Sequence, residues 1–526
     1  MKARLWLAAA AAVAGAGLMC AAALGGTVAT GANKGGTLRV DSRSDFDFID
    51  PALAYFSHSW QMEYVTCAKL VNFPDAEGTA GTKLVPEVAA AMPAVSRNGK
   101  TLTFTLRKTF KFSNGQPVTA QTFAYAWKRL ADPKLSSPAV QYLKDVKSTQ
   151  AIGNWKLRVV LNTQAPDFLA RLTMPFFCPL PVGTPAVAEG LSAPLVGSGP
   201  YYVKEWTKNR TAVLERNPNY RGSRVANPDR IVYTFGNTAD ASRLRLERGD
   251  VDLGPIPPAA VSELLSKYGL NKGRFFIRKN LVQWYLALNH DRPLFKGNDA
   301  LGKAVNTALD RPALVRQHGL LAGARTDQVL PVGIPGFRDW NIYSLKGANV
   351  KLAQRLAKGA TRDGKAVMYT FNTTHGPTVA QMVQYQLKQI GVDVDIRVWD
   401  RVVEHEKMAT RGEAFDIGYE AWNADYPDPS NYMNVLLDGR RIQGDHNNNT
   451  SYFNDASINR RLEQASRLAG EDRFSTYAEL DRDVMRDKAP LAPFLTVMSR
   501  VLVGPNVGCF SYHPVYTTNL AAVCVK

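Results

Sequence analysis

Two aspartates three positions apart, Asp425 and Asp428, lie in the run Trp422-Asn423-Ala424-Asp425-Tyr426-Pro427-Asp428-Pro429. Paired carboxylates can hydrolyse a glycosidic bond, one as acid and the other as base or nucleophile. With prolines at 427 and 429, the same pair also reads as turn-forming residues. A secreted hydrolase using Asp425 and Asp428 therefore stands as the alternative from a different functional class. The rings of Trp422 and Tyr426 flank Asp425, and an acid between aromatic walls suits a cationic ligand group. Tyr55, Phe56, Trp60 and Tyr432 also lie beside expected loops, where rings can wall a pocket.

Other chemistry finds little support. The chain has no GxSxG elbow, no HExxH, no Walker A loop and no GxGxxG after a strand. Gly197-Ser198-Gly199 runs into Pro200-Tyr201-Tyr202 rather than into a helix start, so it reads as a turn. Asn448-Asn449-Thr450 matches a glycosylation sequon and equally a polar turn. The seven histidines, at 58, 290, 318, 375, 405, 446 and 513, show no helical pairing. No metal site and no cofactor are expected.

Residues 1–33 read as an export signal. Lys2 and Arg4 precede an apolar run, 5–24, which small residues follow. A retained membrane anchor is the alternative. Cys20 is a candidate for lipidation, although Met19 stands where a small residue is expected; cleavage near Ala32 competes with it. Export makes the remaining cysteines candidates for disulfides. Cys509 and Cys524 share one short segment and are paired here, which leaves Cys67 with Cys178; four buried free thiols are the alternative.

The charge is the outlying bulk property. Sixty-four Lys and Arg against forty-six Asp and Glu give +18 over 526 residues. Losing Lys2 and Arg4 with the signal still leaves about +16. With export, nucleic acid recedes as a partner, and the excess fits either an anionic envelope neighbour or simply a well-solvated surface. A mean hydropathy of -0.21 excludes several spanning helices.

The elements that would position these residues alternate between short strands and amphipathic helices. Leu102, Phe104 and Leu106 share one strand face, and Leu157, Val159 and Leu161 share another. Thr119 is expected to cap a helix with Phe123, Trp127 and Leu130 inside. Residues 366–372, a helix carrying Val379, Val383, Leu387 and Ile390 up to Gly391, and a strand through Val392 and Val398 form a βαβ crossover, hence a parallel pair. Residues 415–422 add a strand whose carboxyl end delivers the Asp425 loop. In open α/β sheets that end holds ligands.

Taken in order, several blocks resemble one family. They are 35–40, Ile49-Asp50-Pro51-Ala52, 84–89, Asn98-Gly99-Lys100, 104–107, 110–115, Pro117-Val118-Thr119-Ala120, 197–202, 216–220, 304–311, 424–429 and 489–493. They are similar to the extracytoplasmic solute-binding proteins of ABC importers, in the oligopeptide, dipeptide and nickel cluster (family 5). The resemblance implies an α/β two-lobed clamshell, type II-like, with an extra α+β subdomain inserted in lobe I. Implied ranges are 34–60, 190–288 and 499–526 for lobe I, 61–189 for the insert and 289–498 for lobe II. It further implies a monomeric, non-enzymatic receptor in the cell envelope, partnered by a short peptide and by permease subunits. Asp425 would pair with the ligand's α-ammonium and Trp422 would line its pocket; Asn423, Tyr426, Tyr55 and Phe56 are the further ligand-contact candidates from the residues themselves. A metal chelate, haem or an oligosaccharide is the alternative ligand within that fold.

Overall fold

The computed structural model describes residues 34–372 and 375–526. The signal read at 1–33, Cys20 included, lies outside them. Three sheets organise the chain. The first orders its strands Thr37–Asp41, Arg230–Thr234, Thr211–Arg216 and Tyr201–Thr207. Its opening strand runs parallel to Arg230–Thr234, with Leu38 opposite Ile231. Leu38 and Val40 alternate inward, while Arg39 turns out to bind Asp252.

The second sheet belongs to the insert and is antiparallel, in the order Ala94–Val95, Thr101–Thr105, Lys156–Leu161 and Val146–Ile152. Leu102 and Phe104 face Val159 and Leu157 across the ladder. Thr119 and Thr122 form a capping box at the start of helix Ala120–Leu130, whose Phe123, Ala126, Trp127 and Leu130 are buried. A disulfide joins Cys67, just after helix Ser57–Thr66, to Cys178 across 111 residues, with Cα atoms 5.8 Å apart. A second joins Cys509 to Cys524.

The third sheet has six strands: Gly323–Arg325, Leu491–Leu502, Phe275–Leu288, Ile417–Asn423, Lys365–Phe371 and Asp393–Trp399. The last two are parallel and joined by helix Gly376–Lys388, which forms the crossover. Val379, Val383 and Leu387 from this helix close a core with Met368, Ile417 and Leu286. Two long strands run antiparallel at the middle of this sheet. Phe275 to Lys279 pair with Leu502 to Met498, then three residues are skipped before Gln283 pairs with Thr496. The ranges inferred from the sequence, ending at 288 and 498, fall at the end of one long strand and inside the other. The architecture is that of a two-lobed α/β clamshell with an inserted subdomain. Among the described residues no helix is long and apolar enough to cross a membrane.

Candidate functional site

The loop containing Asp425 begins where strand Ile417–Asn423 ends and closes where helix Ser430–Leu437 begins. Asp428 starts that helix by accepting from the backbone N–H and the hydroxyl of Ser430, at 2.9 and 2.7 Å. Arg473 grips the same carboxylate with two guanidinium nitrogens, at 3.0 and 2.7 Å. Asp428 is thus fully engaged in holding the loop, and the two aspartates do not present a pair of free carboxylates.

Asn431, completely buried on the first turn of the helix, fixes Asp425. Its Oδ1 accepts from the Asp425 backbone N–H at 2.9 Å and from Trp422 Nε1 at 3.2 Å. Its Nδ2 donates to Asp425 Oδ2 at 2.9 Å. The hydroxyl of Tyr142, from the insert, donates to the same oxygen at 2.7 Å, and that of Tyr55 donates to Oδ1 at 3.1 Å. Asp425 is 5% exposed. Burial pushes its carboxyl above the usual range, against the lowering effect of Asn431, Tyr142 and Tyr55. The three side-chain donors are all neutral, and among the described residues no Lys or Arg forms an ion pair with this acid. A desolvated carboxylate in such a setting favours a cation.

The structure brings some of the expected site residues together and holds others apart. Tyr55, Asp425 and Trp422 come together, the last through Asn431. Asn423 lies beside them and donates to Ser57 at 3.2 Å. Tyr426 turns away: its hydroxyl donates to Asp167 at 3.1 Å, and Arg171 holds that carboxylate in a bidentate pair. Phe56 is half exposed and touches the ring of His58. Trp60 and Tyr432 are core residues. Tyr142 had no local signal, because its meeting with Asp425 depends on the packing of the insert. Asn431 lay within reach of pattern reasoning, two residues after Pro429 of the proline-rich turn.

Two cavities are present among the described residues, and the second shares Tyr142 with this arrangement. One, of about 440 Å³, lies between the first sheet and the long C-terminal strand; Arg43, His58, Tyr233, Met498, Arg500 and Tyr512 contribute to its wall. The other, of about 450 Å³, lies beyond Tyr142 and Tyr426 and includes Lys144, Arg171, Arg440 and Asn448. The structure also brings together two histidines far apart in sequence. His318 and His375 stack at 4.2 Å, and both contact the Tyr419 hydroxyl, at 3.0 and 3.1 Å. Burial holds both rings neutral, with pKa values lowered to about 3 and about 4. Among the described residues no group of three His, Cys, Asp or Glu could hold a metal ion. The glycines of Gly197-Ser198-Gly199 have a packing role: a Cβ on Gly199 would come within 2.6 Å of the Cys67 backbone nitrogen.

Comparison with known proteins identifies the family of the chain. Residues 83–444 match the family model described as bacterial extracellular solute-binding proteins, family 5 middle. The periplasmic oligopeptide-binding protein OppA of Salmonella typhimurium is 25% identical over 460 residues, which are 81% of this chain and 82% of that protein. Among solved structures, clavulanic acid biosynthesis oligopeptide binding protein 2 superposes with a TM-score of 0.87 at 22% identity, covering 94% of this chain and 96% of the other. The binding protein DppA of Helicobacter pylori, solved with the peptide STSA, gives 0.79 at 24% identity, covering 94% and 98%. The chain belongs to the bacterial extracellular solute-binding proteins of family 5.

Proposed function

We propose that this protein is an extracytoplasmic receptor that captures short peptides between its lobes and delivers them to the membrane subunits of an ABC importer. The observation that carries the reading is Asp425, a buried acid oriented by three neutral donors and lacking a cationic partner among the described residues. A peptide's α-ammonium supplies the missing charge, and a charge-assisted bond in a desolvated site outweighs an exposed one. Relatives named for oligopeptide binding, and one solved with a bound peptide, support the same ligand class.

In this reading Trp422 and Tyr55 wall the ammonium site, Asn423 and Phe56 border it, and Tyr426 acts indirectly by clamping the loop to Asp167. Lobe I comprises 34–60, 190–288 and 499–526, the insert 61–189 and lobe II 289–498. Closure is a hinge motion about the two long strands. The receptor is monomeric and exported, and Cys20 is the candidate point of lipid attachment to the envelope.

Mass spectrometry of material copurifying with the protein tests the ligand class, followed by titration calorimetry with di- to pentapeptides. Bound peptides of two to five residues, and a smaller radius of gyration by X-ray scattering when they are added, are expected. A copurified chelate, haem or sugar together with no heat from any peptide would overturn the proposal.

A further inference from the structure

Glu404 has 0% exposure, and neither of its carboxyl oxygens has a hydrogen-bond partner. Buried polar groups are nearly always paired, so a doubly unpaired carboxyl calls for an explanation. Glu404 lies on helix Arg401–Ala409, which starts just beyond the carboxyl end of strand Asp393–Trp399. A second carboxylate is nearby. Glu420, 3% exposed, belongs to strand Ile417–Asn423 and raises the Glu404 pKa, after burial itself. Glu420 accepts from the Ala421 backbone N–H at 3.3 Å, and its other oxygen contacts His405 Nδ1 at 3.1 Å.

The other groups around the pair leave Glu404 without a partner. Arg401 lies over aromatic rings, with its guanidinium 4.2 Å from the Phe371 centroid and 5.5 Å from that of Trp284, and its charge favours the ionised form of both carboxyls without a hydrogen bond to either. Among the described residues it forms no ion pair with either carboxylate. Tyr285 stands opposite Glu420 in the ladder. His405 is the exposed member, with 46% of its side chain open to solvent.

The strand geometry connects this acidic pair to the Asp425 site. Alternate residues of a strand face the same side about 7 Å apart, so Glu420 and Trp422 share a face. Trp422 binds the asparagine that orients Asp425. Val402 and Val403, in the first turn of the Glu404 helix, are 55% and 40% exposed and offer apolar surface to a long side-chain stem.

We propose that Glu404 and Glu420 form a second acidic subsite, which receives the lysine- or arginine-like side chain of a ligand whose α-ammonium is held at Asp425. The inference rests on the peptide reading above and narrows it to peptides basic near the amino end. Because burial and Glu420 favour the protonated Glu404, arrival of the cation expels that proton to the buffer and leaves carboxylate paired with ammonium or guanidinium.

The test is calorimetry on the full chain at pH 7 with Lys-Ala-Ala, Ala-Lys-Ala, their norleucine counterparts and Ala-Ala-Ala, each in phosphate and in Tris. One lysine peptide is expected to bind about tenfold or more tightly than its norleucine counterpart. Its enthalpy should depend on the buffer more strongly than that of the norleucine peptide, by the proton that Glu404 releases. Glu404→Gln, close in shape to the protonated acid, is expected to abolish both effects. Equal affinities for lysine and norleucine peptides in the wild-type protein would overturn the subsite while leaving the peptide reading intact. So would a lysine preference that persists in Glu404→Gln. Absence of binding by every peptide would instead remove the peptide reading and this proposal with it. The wild-type comparisons need no variant to fold.

Discussion

Replacing Asp425 separates binding from folding, because its hydrogen bonds divide into groups that can re-pair and one that cannot. In Asp425→Ala the hydroxyls of Tyr55 and Tyr142, already 3.4 Å apart, can close on each other. The Asn431 Nδ2 that donated at 2.9 Å is then left buried without an acceptor. A buried donor left unpaired costs about 1–3 kcal/mol. The variant should therefore melt measurably lower than the parent, not identically to it. Truncating one member of a desolvated charge pair costs about 2–5 kcal/mol of affinity, or roughly 30-fold to several thousand-fold. Titration calorimetry with a tripeptide and its N-acetyl form gives the decisive contrast. The wild-type protein should prefer the free amine by that factor, and Asp425→Ala should bind both forms equally weakly. Near-equal binding of the two forms by the wild-type protein would refute an ammonium role for Asp425. A large stability loss with unchanged affinity would make the acid purely structural. The carboxylate form is also the binding form, so affinity should fall as pH drops through its raised pKa.

Other outcomes follow from neighbouring residues. Lys69 is fully buried over Tyr64 and Tyr516, its amine without a hydrogen-bond partner and its pKa lowered by burial to about 7. The unfolded chain keeps that proton to a much higher pH, so stability should rise with pH above about 7. Lys69→Met should flatten this rise in thermal melts; parallel curves would contradict it. Arg473→Ala breaks the buried pair with Asp428 and should lower stability by about 3–5 kcal/mol, read by urea denaturation. Gly199→Ala should sharply reduce soluble folded yield, since its Cβ meets backbone on helix Ser57–Thr66 and at Cys67.

How much of this was legible in the sequence depended on range. Local periodicity located the crossover to within a residue or two: the expected 366–372 became Lys365–Phe371, and the helix and partner strand followed. The expected strand at 415–422 became Ile417–Asn423, because Phe415 turns into the core ahead of the ladder. Thr119 caps its helix as read. The strands Phe275–Leu288 and Leu491–Leu502 escaped, since their pairing joins segments more than 200 residues apart and a bulge interrupts their alternation. For the site, Asp425 and Trp422 are carried by one local motif. Tyr142 enters only through a hydrogen bond spanning 283 residues. Tyr426 shows the same limit of range: its neighbour in sequence is Asp425, but its partner in space is Asp167.

The two long strands also make the molecule modular. Ala287 pairs with Leu491, so the chain leaves for the intervening two hundred or so residues and returns at adjacent positions of one ladder. That stretch carries its own helices, shares its core with the long strands and with the rest of the chain, and has ends already held side by side. Such a segment can be lengthened, exchanged for a relative's, or recircularised with a short linker without rethreading the rest of the chain. The Asp425 loop with Trp422 could then be transplanted as a cassette to meet the host's Tyr55 and Tyr142, while the portion carrying both disulfides is left untouched.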